Sequence, residues 1–204
     1  MVKKLRSIAV FCGSSNNVDP SYLDLASRVG TALAQADITM VYGGGHSGLM
    51  GAVARGTMAA GGCVTGVIPG GLFTNGIEAG DITTLEVVDD MHERKARMYD
   101  LSDGFIGLPG GLGTFEEIFE AATWTQLGLH SEGRTKPVVL LDQDGFWDGA
   151  HALLARSFEA GLLREKNVSI IQPAKAIDEA ITLIQAGFTH ETPAFVTPPR
   201  NKGA

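Results

Sequence analysis

The residues best suited to chemistry lie in a glycine-rich segment, residues 109–114, which reads Pro-Gly-Gly-Leu-Gly-Thr. Glycines let the backbone turn sharply and approach a ligand closely. If this segment links a strand to a helix, the free N–H groups and the positive dipole end of the helix would suit a phosphate. Similar segments also serve as packing turns, so the pattern alone leaves both interpretations open.

Two carboxylates, Glu116 and Glu117, follow the glycine segment and are expected in the first turn of the helix. One acidic residue there would complement the helix dipole. Two beside an anion site would repel the anion, unless one faces a reacting sugar and the other a cation. The sequence therefore predicts a cation close to these glutamates.

The cation is predicted in residues 91–98, Met-His-Glu-Arg-Lys-Ala-Arg-Met. On a helix, Met91, Lys95 and Met98 share one side, and Arg94 lies one turn from Met98. Charged runs of this kind are usually solvent-exposed. This one directly precedes the strand that leads into the glycine segment, which favours a role in the site.

The elements that must position these residues alternate along the chain. Apolar, β-branched runs predict strands at residues 7–11, 39–42, 63–68, 104–108, 137–141 and 168–171, with 84–88 as a weaker edge-strand candidate. Helices are predicted from Asp19 and Pro20 onward, and at 49–60, 91–101, 114–126, 147–160 and 174–186. This alternation predicts a single-domain α/β protein with a Rossmann-like, doubly wound parallel sheet.

Ligands of such sheets bind at the carboxyl ends of the strands. Three predicted strands end in glycine-rich or polar segments, at residues 12–15, 43–45 and 109–114. We therefore expect one site at one sheet edge. Residues 1–186 are predicted to form the nucleotide-binding catalytic domain, and the proline-containing residues 187–204 a C-terminal extension.

The composition argues against several classes of protein. The net charge of −7, from 16 basic and 23 acidic residues, lacks the basic excess of a nucleic-acid binder. No apolar stretch approaches the roughly 20 residues of a membrane helix, and no signal peptide is recognisable. Cys12 and Cys63 are predicted to be buried thiols of a reducing compartment. We therefore expect a cytoplasmic protein with neither nucleic-acid nor membrane partners.

No cofactor is predicted. The five histidines are dispersed and form no pair at metal-ligand spacing, and the P-loop signature does not occur. Residues 43–48 resemble a dinucleotide loop only loosely and lack the acidic residue that would bind a ribose hydroxyl. A nicotinamide-dependent enzyme is therefore a minor alternative.

Taken together, residues 43–51, 91–95, 109–117 and 123–128 resemble the Lonely Guy family of cytokinin-activating phosphoribohydrolases, many of which are labelled lysine decarboxylases. The family pattern Pro-Gly-Gly-x-Gly-Thr-x-x-Glu is matched at every fixed position from Pro109 to Glu117. The resemblance implies a Rossmann-like fold and a homodimer whose site is shared between subunits. It implies hydrolysis of an N6-substituted adenosine 5′-monophosphate to free base and ribose 5-phosphate, without a metal or organic cofactor.

Carried over by position, Arg94 and Glu117 are the expected catalytic pair. A carboxylate such as Glu117 can stabilise positive charge on the ribose and orient the attacking water. Arg94 could hold the phosphate or assist the leaving base, and the sequence leaves both open. The expected substrate contacts are Gly13, Ser14, Gly43, Gly44, Gly45, Met91, Lys95, Pro109, Gly110, Gly111, Gly113, Thr114, Glu116 and Thr123.

The chain departs from the family pattern at one position. Many relatives carry a ligand-contacting glutamate where an ungapped alignment places Gly76, and Glu78 follows two residues later. Base preference is the property that this difference puts in doubt.

Two alternative functions stay open: a general AMP nucleosidase, and a non-catalytic nucleotide sensor. Glu117 favours catalysis, because a pure binder has no reason to place a carboxylate beside a phosphate loop.

Overall fold

The computed structural model describes residues 4–70, 82–131 and 135–188. Within these ranges the chain forms seven strands and seven helices. In chain order they are β1 (Ser7–Phe11), α1 (Pro20–Gln35), β2 (Thr39–Tyr42), α2 (Gly48–Ala59), β3 (Val64–Pro69), β4 (Thr84–Val88), α3 (Met91–Leu101), β5 (Gly104–Gly107), α4 (Leu112–Leu127), β6 (Val138–Leu141), α5 (Asp148–Glu159), α6 (Glu165–Val168), β7 (Ile171–Ala174) and α7 (Ile177–Phe188).

The strands form one parallel sheet in the order β4-β3-β2-β1-β5-β6-β7. The chain winds outward from β1 to β4, then returns to the other side of β1 and continues to β7. This order confirms the predicted doubly wound fold and places the topological switch point between β1 and β5.

Helices cover both faces of the sheet. Alternate residues of β1 serve the two layers, since Ile8 and Val10 pack with α1, α2 and α7, whereas Ala9 and Phe11 pack with α3 and α4. Each inner strand is buried on both faces, which explains why the strands read as continuous apolar runs instead of alternating ones. None of the described helices is long and apolar enough to cross a membrane.

Several predicted bounds shift by one to three residues, most notably in α4 and α7. Helix α4 begins at Leu112 and not at residue 114, because Gly111 is extended and acts as its N-cap. Glu116 and Glu117 therefore lie in the second turn of α4, and their predicted place in the first turn is wrong. The last helix begins at Ile177 and not at residue 174, because Ala174 belongs to β7, and it continues to Phe188, whose side chain is buried.

Two further predictions are wrong. Strand β7 spans Ile171–Ala174, because the chain up to Val168 forms the short helix α6; Pro173 is compatible with β7 since this strand lies at the sheet edge. Cys63 is exposed, because it precedes β3 instead of lying within it, whereas Cys12 is buried as predicted.

Candidate active site

The ends of β1 and β5 meet at the switch point. The backbone N–H of Gly13 donates to the carbonyl of Pro109 at 3.1 Å, and Leu49 at the start of α2 donates to the carbonyl of Gly13 at 3.0 Å. The glycine segments after β1 and β5 therefore lie side by side. This confirms that the predicted exits share one edge of the sheet.

Two helices begin at this edge, and their first N–H groups differ. At α2, the N–H of Gly48 donates to the side-chain oxygen of Asn16 at 2.7 Å, and that of Leu49 to Gly13. At α4, no side chain caps the helix, and among the described residues no protein group accepts from the N–H groups of Leu112 and Gly113. Of these two helix starts, that of α4 is thus the one whose free N–H groups can receive an anion.

The glycines around the start of α4 are not equivalent. A Cβ atom on Gly110 would lie 2.2 Å from the hydroxyl oxygen of Thr114 and 2.9 Å from the N atom of Gly13, so packing requires this glycine. A Cβ atom on Gly111 or Gly113 would meet nothing within 4 Å. The protein's own packing does not require glycine at these two positions, and their bare backbone leaves room for a ligand.

Helix α3 brings its cations to the same place. The carboxylate of Asp90 caps the helix by accepting from the N–H groups of His92 and Glu93 at 2.8 and 2.9 Å. With the helix beginning at Met91, Arg94 and Lys95 lie on the buried face of α3, where only 9% and 7% of their surfaces are exposed. The structure thus places two cations of residues 91–98 inside the fold, and their part in ligand binding stays a prediction.

Arg94 and Glu117 form a buried ion pair. Their Nη1 and Oε1 atoms are 3.1 Å apart, and Arg94 also donates through Nε to the carbonyl of Val67 at 3.1 Å. A Cβ atom on Gly43 would lie 1.6 Å from Nη2, so the guanidinium occupies the space that this glycine leaves open. Through Nη1, Arg94 also lies 3.3 Å from the sulfur of Met91.

Burial controls the protonation of this centre. It raises the pKa of Glu117 above its usual value, and the positive charge of Arg94 opposes that rise. Burial also raises the pKa of the nearby Cys12 thiol, and the charge of Glu117 adds to the effect. Cys12 is therefore a neutral thiol, and the pKa of Glu117 is set by the opposition of burial and the charge of Arg94.

Lys95 is held by two carboxylates of α4. It forms ion pairs with Glu116 and, at 2.9 Å, with Glu120. The hydroxyl of Tyr99 donates to the same oxygen of Glu120 at 2.6 Å. Sequence reasoning missed Tyr99 and Glu120, although each lies four residues beyond an identified site residue, Lys95 and Glu116, on the same face of its helix.

The structure brings most of the predicted site residues together at this edge. They are Gly13, Ser14, Gly43, Gly44, Gly45, Met91, Arg94, Lys95, Pro109, Gly110, Gly111, Gly113, Thr114, Glu116 and Glu117. Thr123 is separated from them, because it lies two turns beyond Glu116 on α4 and lines an apolar groove with Phe119 and Leu154. Gly76 and Glu78 lie outside the described residues.

The titratable side chains offer no metal centre in the part of the chain that is described. Nowhere in residues 4–70, 82–131 and 135–188 do three histidine, cysteine or acidic side chains lie close enough to hold an ion. The acidic residues nearest the glycine segment are instead paired with Arg94 and Lys95.

Known proteins match most of the chain. A family model described as possible lysine decarboxylase matches residues 50–184. The cytokinin riboside 5′-monophosphate phosphoribohydrolase LOG1 of Arabidopsis thaliana is 40% identical over 182 residues, covering 89% of this chain and 84% of that protein. The protein LOG of Oryza sativa subsp. japonica, whose name gives the same activity, is 39% identical over 182 residues. The match covers 89% of this chain and 74% of that protein.

Solved structures share the fold at lower identity. The molybdenum cofactor carrier protein of Chlamydomonas reinhardtii superposes with a TM-score of 0.67 at 22% identity, covering 92% of this chain and all of that one. The molybdenum cofactor binding protein of Rippkaea orientalis gives 0.65 at 23% identity, covering 90% and 97%. At these identities the likeness concerns the fold alone.

Proposed function

Since this chain belongs to the family that includes the cytokinin riboside 5′-monophosphate phosphoribohydrolases, we propose that it hydrolyses the N-glycosidic bond of adenosine 5′-monophosphates. The products are the free base, a cytokinin where the substrate is N6-substituted, and ribose 5-phosphate. The observation that carries this proposal is a buried carboxylate, Glu117, paired with Arg94 one helical turn beyond the uncapped start of α4.

The start of α4 provides the place for the 5′-phosphate. The unpaired N–H groups of Leu112 and Gly113 and the positive end of the helix dipole suit an anion. The hydroxyl of Thr114, which has no hydrogen-bond partner among the described residues, adds a donor. Glu117 lies four positions after Gly113, about 6 Å along the helix axis, which is room for a ribose between phosphate and carboxylate.

Glu117 then acts on the ribose. Cleavage of an N-glycosidic bond places positive charge on the sugar ring, and a fixed carboxylate nearby stabilises that charge and orients the attacking water. Because burial weakens competition from solvent, the carboxylate is more effective here than it would be at the surface.

Arg94 is better placed to serve Glu117 and the leaving base than the phosphate. Its Nε and Nη1 atoms bind the carbonyl of Val67 and the carboxylate of Glu117, whereas the free N–H groups lie at the start of α4. We propose that Arg94 keeps Glu117 ionised and oriented, and that its remaining Nη2 edge, beside Gly43, faces the base.

Decarboxylation of lysine, which the description of the family model suggests, fits the site poorly. That chemistry uses a lysine amine to hold pyridoxal phosphate as a Schiff base. Lys95 is buried and bound by Glu116 and Glu120. Burial lowers the pKa of Lys95, but the two carboxylates outweigh burial, so the net shift of this pKa is upward. An amine held so firmly as an ammonium ion is a poor nucleophile.

The test is to incubate the purified protein with AMP and with N6-isopentenyl-AMP and to quantify free base and ribose 5-phosphate. Glu117→Gln should lower the rate by at least about 100-fold while nucleotide binding persists. Glu159→Gln, which changes an exposed carboxylate on α5, is the matched control and should retain full activity. The ratio of the two rates gives the preferred base.

Two outcomes would contradict the proposal. Binding of both nucleotides without cleavage would favour a nucleotide sensor. Failure of both nucleotides to bind would mean that the segment 109–114 is a packing turn, because the anion site at α4 would then receive no phosphate.

We further propose that the protein is a homodimer. Large apolar side chains on and near α4, α5 and α6 are exposed, namely Phe119, Leu127, Leu153, Phe158, Leu162 and Val168. Two of them, Phe119 and Val168, also line the groove that contains Thr123. Such a surface is typical of an interface between subunits. Sedimentation equilibrium should give twice the chain mass, and Phe158→Ser should shift the mass toward the monomer.

We propose a cytoplasmic location as well. Cys12 and Cys63 are both free, and Cys63 is exposed. An exposed free thiol is stable in a reducing compartment and liable to oxidation outside it. Localisation of a tagged protein in intact cells, followed by fractionation, tests this assignment.

A further inference from the structure

Along the contact between α3 and α4, carboxylates outnumber cations. Arg94 pairs with Glu117 at 3.1 Å, while Lys95 is shared between Glu116 and Glu120, the latter at 2.9 Å. Three carboxylates thus face two cations along the contact between the helices. Which carboxylates Lys95 contacts determines how much positive charge lies beside Glu117.

Glu120 is fixed from its other side by Tyr99. The hydroxyl of Tyr99 donates to Oε2 of Glu120 at 2.6 Å. The ring of Tyr99 is fully buried and packs edge-on against Phe105 and Trp124, with centroid distances of 5.5 and 5.0 Å. A donor held in this way cannot follow a moving carboxylate, so Glu120 has one defined position toward Lys95.

We propose that Glu120, held by Tyr99, is a positioning residue that keeps the ammonium group of Lys95 away from the carboxylate of Glu117. The inference rests on the proposed function, in which an oxygen of Glu117 must stay available to the ribose and to water. The side chain of Lys95 is only 9% exposed, so a lost partner is not readily replaced by solvent. Glu116, the other partner of Lys95, has a side chain that is 53% exposed, so solvent competes for its carboxylate more than for that of Glu120, which is 29% exposed.

The surroundings of Glu117 predict the effect of removing the charge of Glu120. Arg94, Lys95 and Tyr99 face Glu117 from α3, Glu116 from its own helix, and Cys12 from the end of β1. The hydroxyl of Tyr99 also lies 3.4 Å from the backbone carbonyl of Glu117. Burial raises the pKa of Glu117, and the charges of Arg94 and Lys95 lower it. If Lys95 turns toward Glu117, the pKa of Glu117 falls and one of its oxygens becomes occupied.

Glu120→Gln tests this in the complete protein, because the amide keeps the shape and can still accept from Tyr99. We expect kcat to fall roughly 10-fold with KM nearly unchanged, since the phosphate site at α4 is untouched. The acid limb of the pH–rate profile should move to lower pH. A purely structural role for Glu120 would lower the unfolding temperature without moving this limb.

A second measurement does not depend on turnover: NMR titration of the Glu117 carboxyl in the nucleotide-free protein. Glu120→Gln should lower the pKa of Glu117, and this effect should vanish in a Lys95→Met background, because the change acts through Lys95. Tyr99→Phe should lower the same pKa in part. Tyr22→Phe is the matched control, since Tyr22 donates to Asp144 at the same distance of 2.6 Å away from these helices.

The proposal is overturned if the pKa of Glu117 in Glu120→Gln stays constant or rises, or if it falls equally when Lys95 is Met. The two claims fail separately. If the wild-type protein releases no base while the titrations behave as described, the proposed hydrolysis is wrong and the positioning role of Glu120 stands.

Discussion

Arg94 is fixed by contacts that come from three other segments of the chain. The carbonyl of Val67 belongs to β3, Glu117 to α4, and the open space above Gly43 to the end of β2, while Arg94 itself lies on α3. An arginine with so few remaining degrees of freedom presents its charge in one place. At the scale of single residues, the proposed hydrolysis would use this preorganisation at the ribose.

Gly43→Ala should therefore damage activity without any contact to the phosphate site. The added Cβ atom would lie 1.6 Å from Nη2 of Arg94, so the guanidinium must move and Glu117 loses its partner. A displacement of about 1 Å in a catalytic group costs on the order of 100-fold in rate, which the base-release assay would detect. Gly70→Ala, also directly after a strand, makes only ordinary contacts of 3.5 Å or more and should leave the rate unchanged.

At the scale of elements, α2 and α4 differ in whether their first N–H groups are free to receive an anion. Both helices begin at the same edge of the sheet and both lack a side-chain cap on their own N-cap residue. The start of α2 is nevertheless satisfied by Asn16 and Gly13, whereas that of α4 is open. The family pattern in residues 109–117 thus coincides with the helix start that the fold leaves unsatisfied.

Gly113→Ala should separate stability from binding. Gly113 and Gly149 are each the second residue of a helix, and a Cβ atom on either meets nothing within 4 Å. Alanine at either position should stabilise the fold by about 0.5 kcal/mol, because the unfolded chain loses conformational freedom. Only Gly113→Ala should weaken AMP binding, measured by calorimetry. Equal affinities of the two variants would show that no ligand approaches Gly113.

At the scale of the whole molecule, the layer formed by α3 and α4 contains a buried titratable group far from the glycine segments. His130 packs against Phe105 with a centroid distance of 5.6 Å, and its Nε2 atom lies 3.0 Å from the hydroxyl of Thr125. Burial, assisted by the charge of Lys136, lowers the pKa of His130 to about 4. The folded protein therefore holds this imidazole neutral.

Stability should fall between pH 6.5 and pH 4. The unfolded chain binds a proton at His130 below about pH 6.5, whereas the folded chain does so only near pH 4, so acid favours unfolding over this window. The loss amounts to about 3 kcal/mol for a pKa difference of this size. The free energy of unfolding, measured with urea at several pH values and plotted against pH, should have a smaller slope in His130→Phe than in the wild type. The exposed His46→Gln should leave this slope unchanged. An equal slope in His130→Phe would contradict the assignment.

The sequence by itself determined the class of fold and which segments meet at the candidate site. Buried parallel strands read as apolar runs, and Asp19 and Pro20 mark a helix start, because these signals depend on residues that are close in the chain. The glycine segments were recognisable for the same reason, and the rule for parallel sheets then placed them at one edge. Arg94 and Glu117 followed from the motif, and the structure brings them into contact.

Only the tertiary structure decided which charges pair and which residues stay apart. The sequence did not predict that Lys95 is shared by Glu116 and Glu120, since this depends on how α3 and α4 pack. It also did not predict that Thr123 lies away from the glycine segments, or that Cys63 is exposed. Local patterns specify an element and its buried face, but the distances between side chains on different elements are set by non-local packing across the sheet.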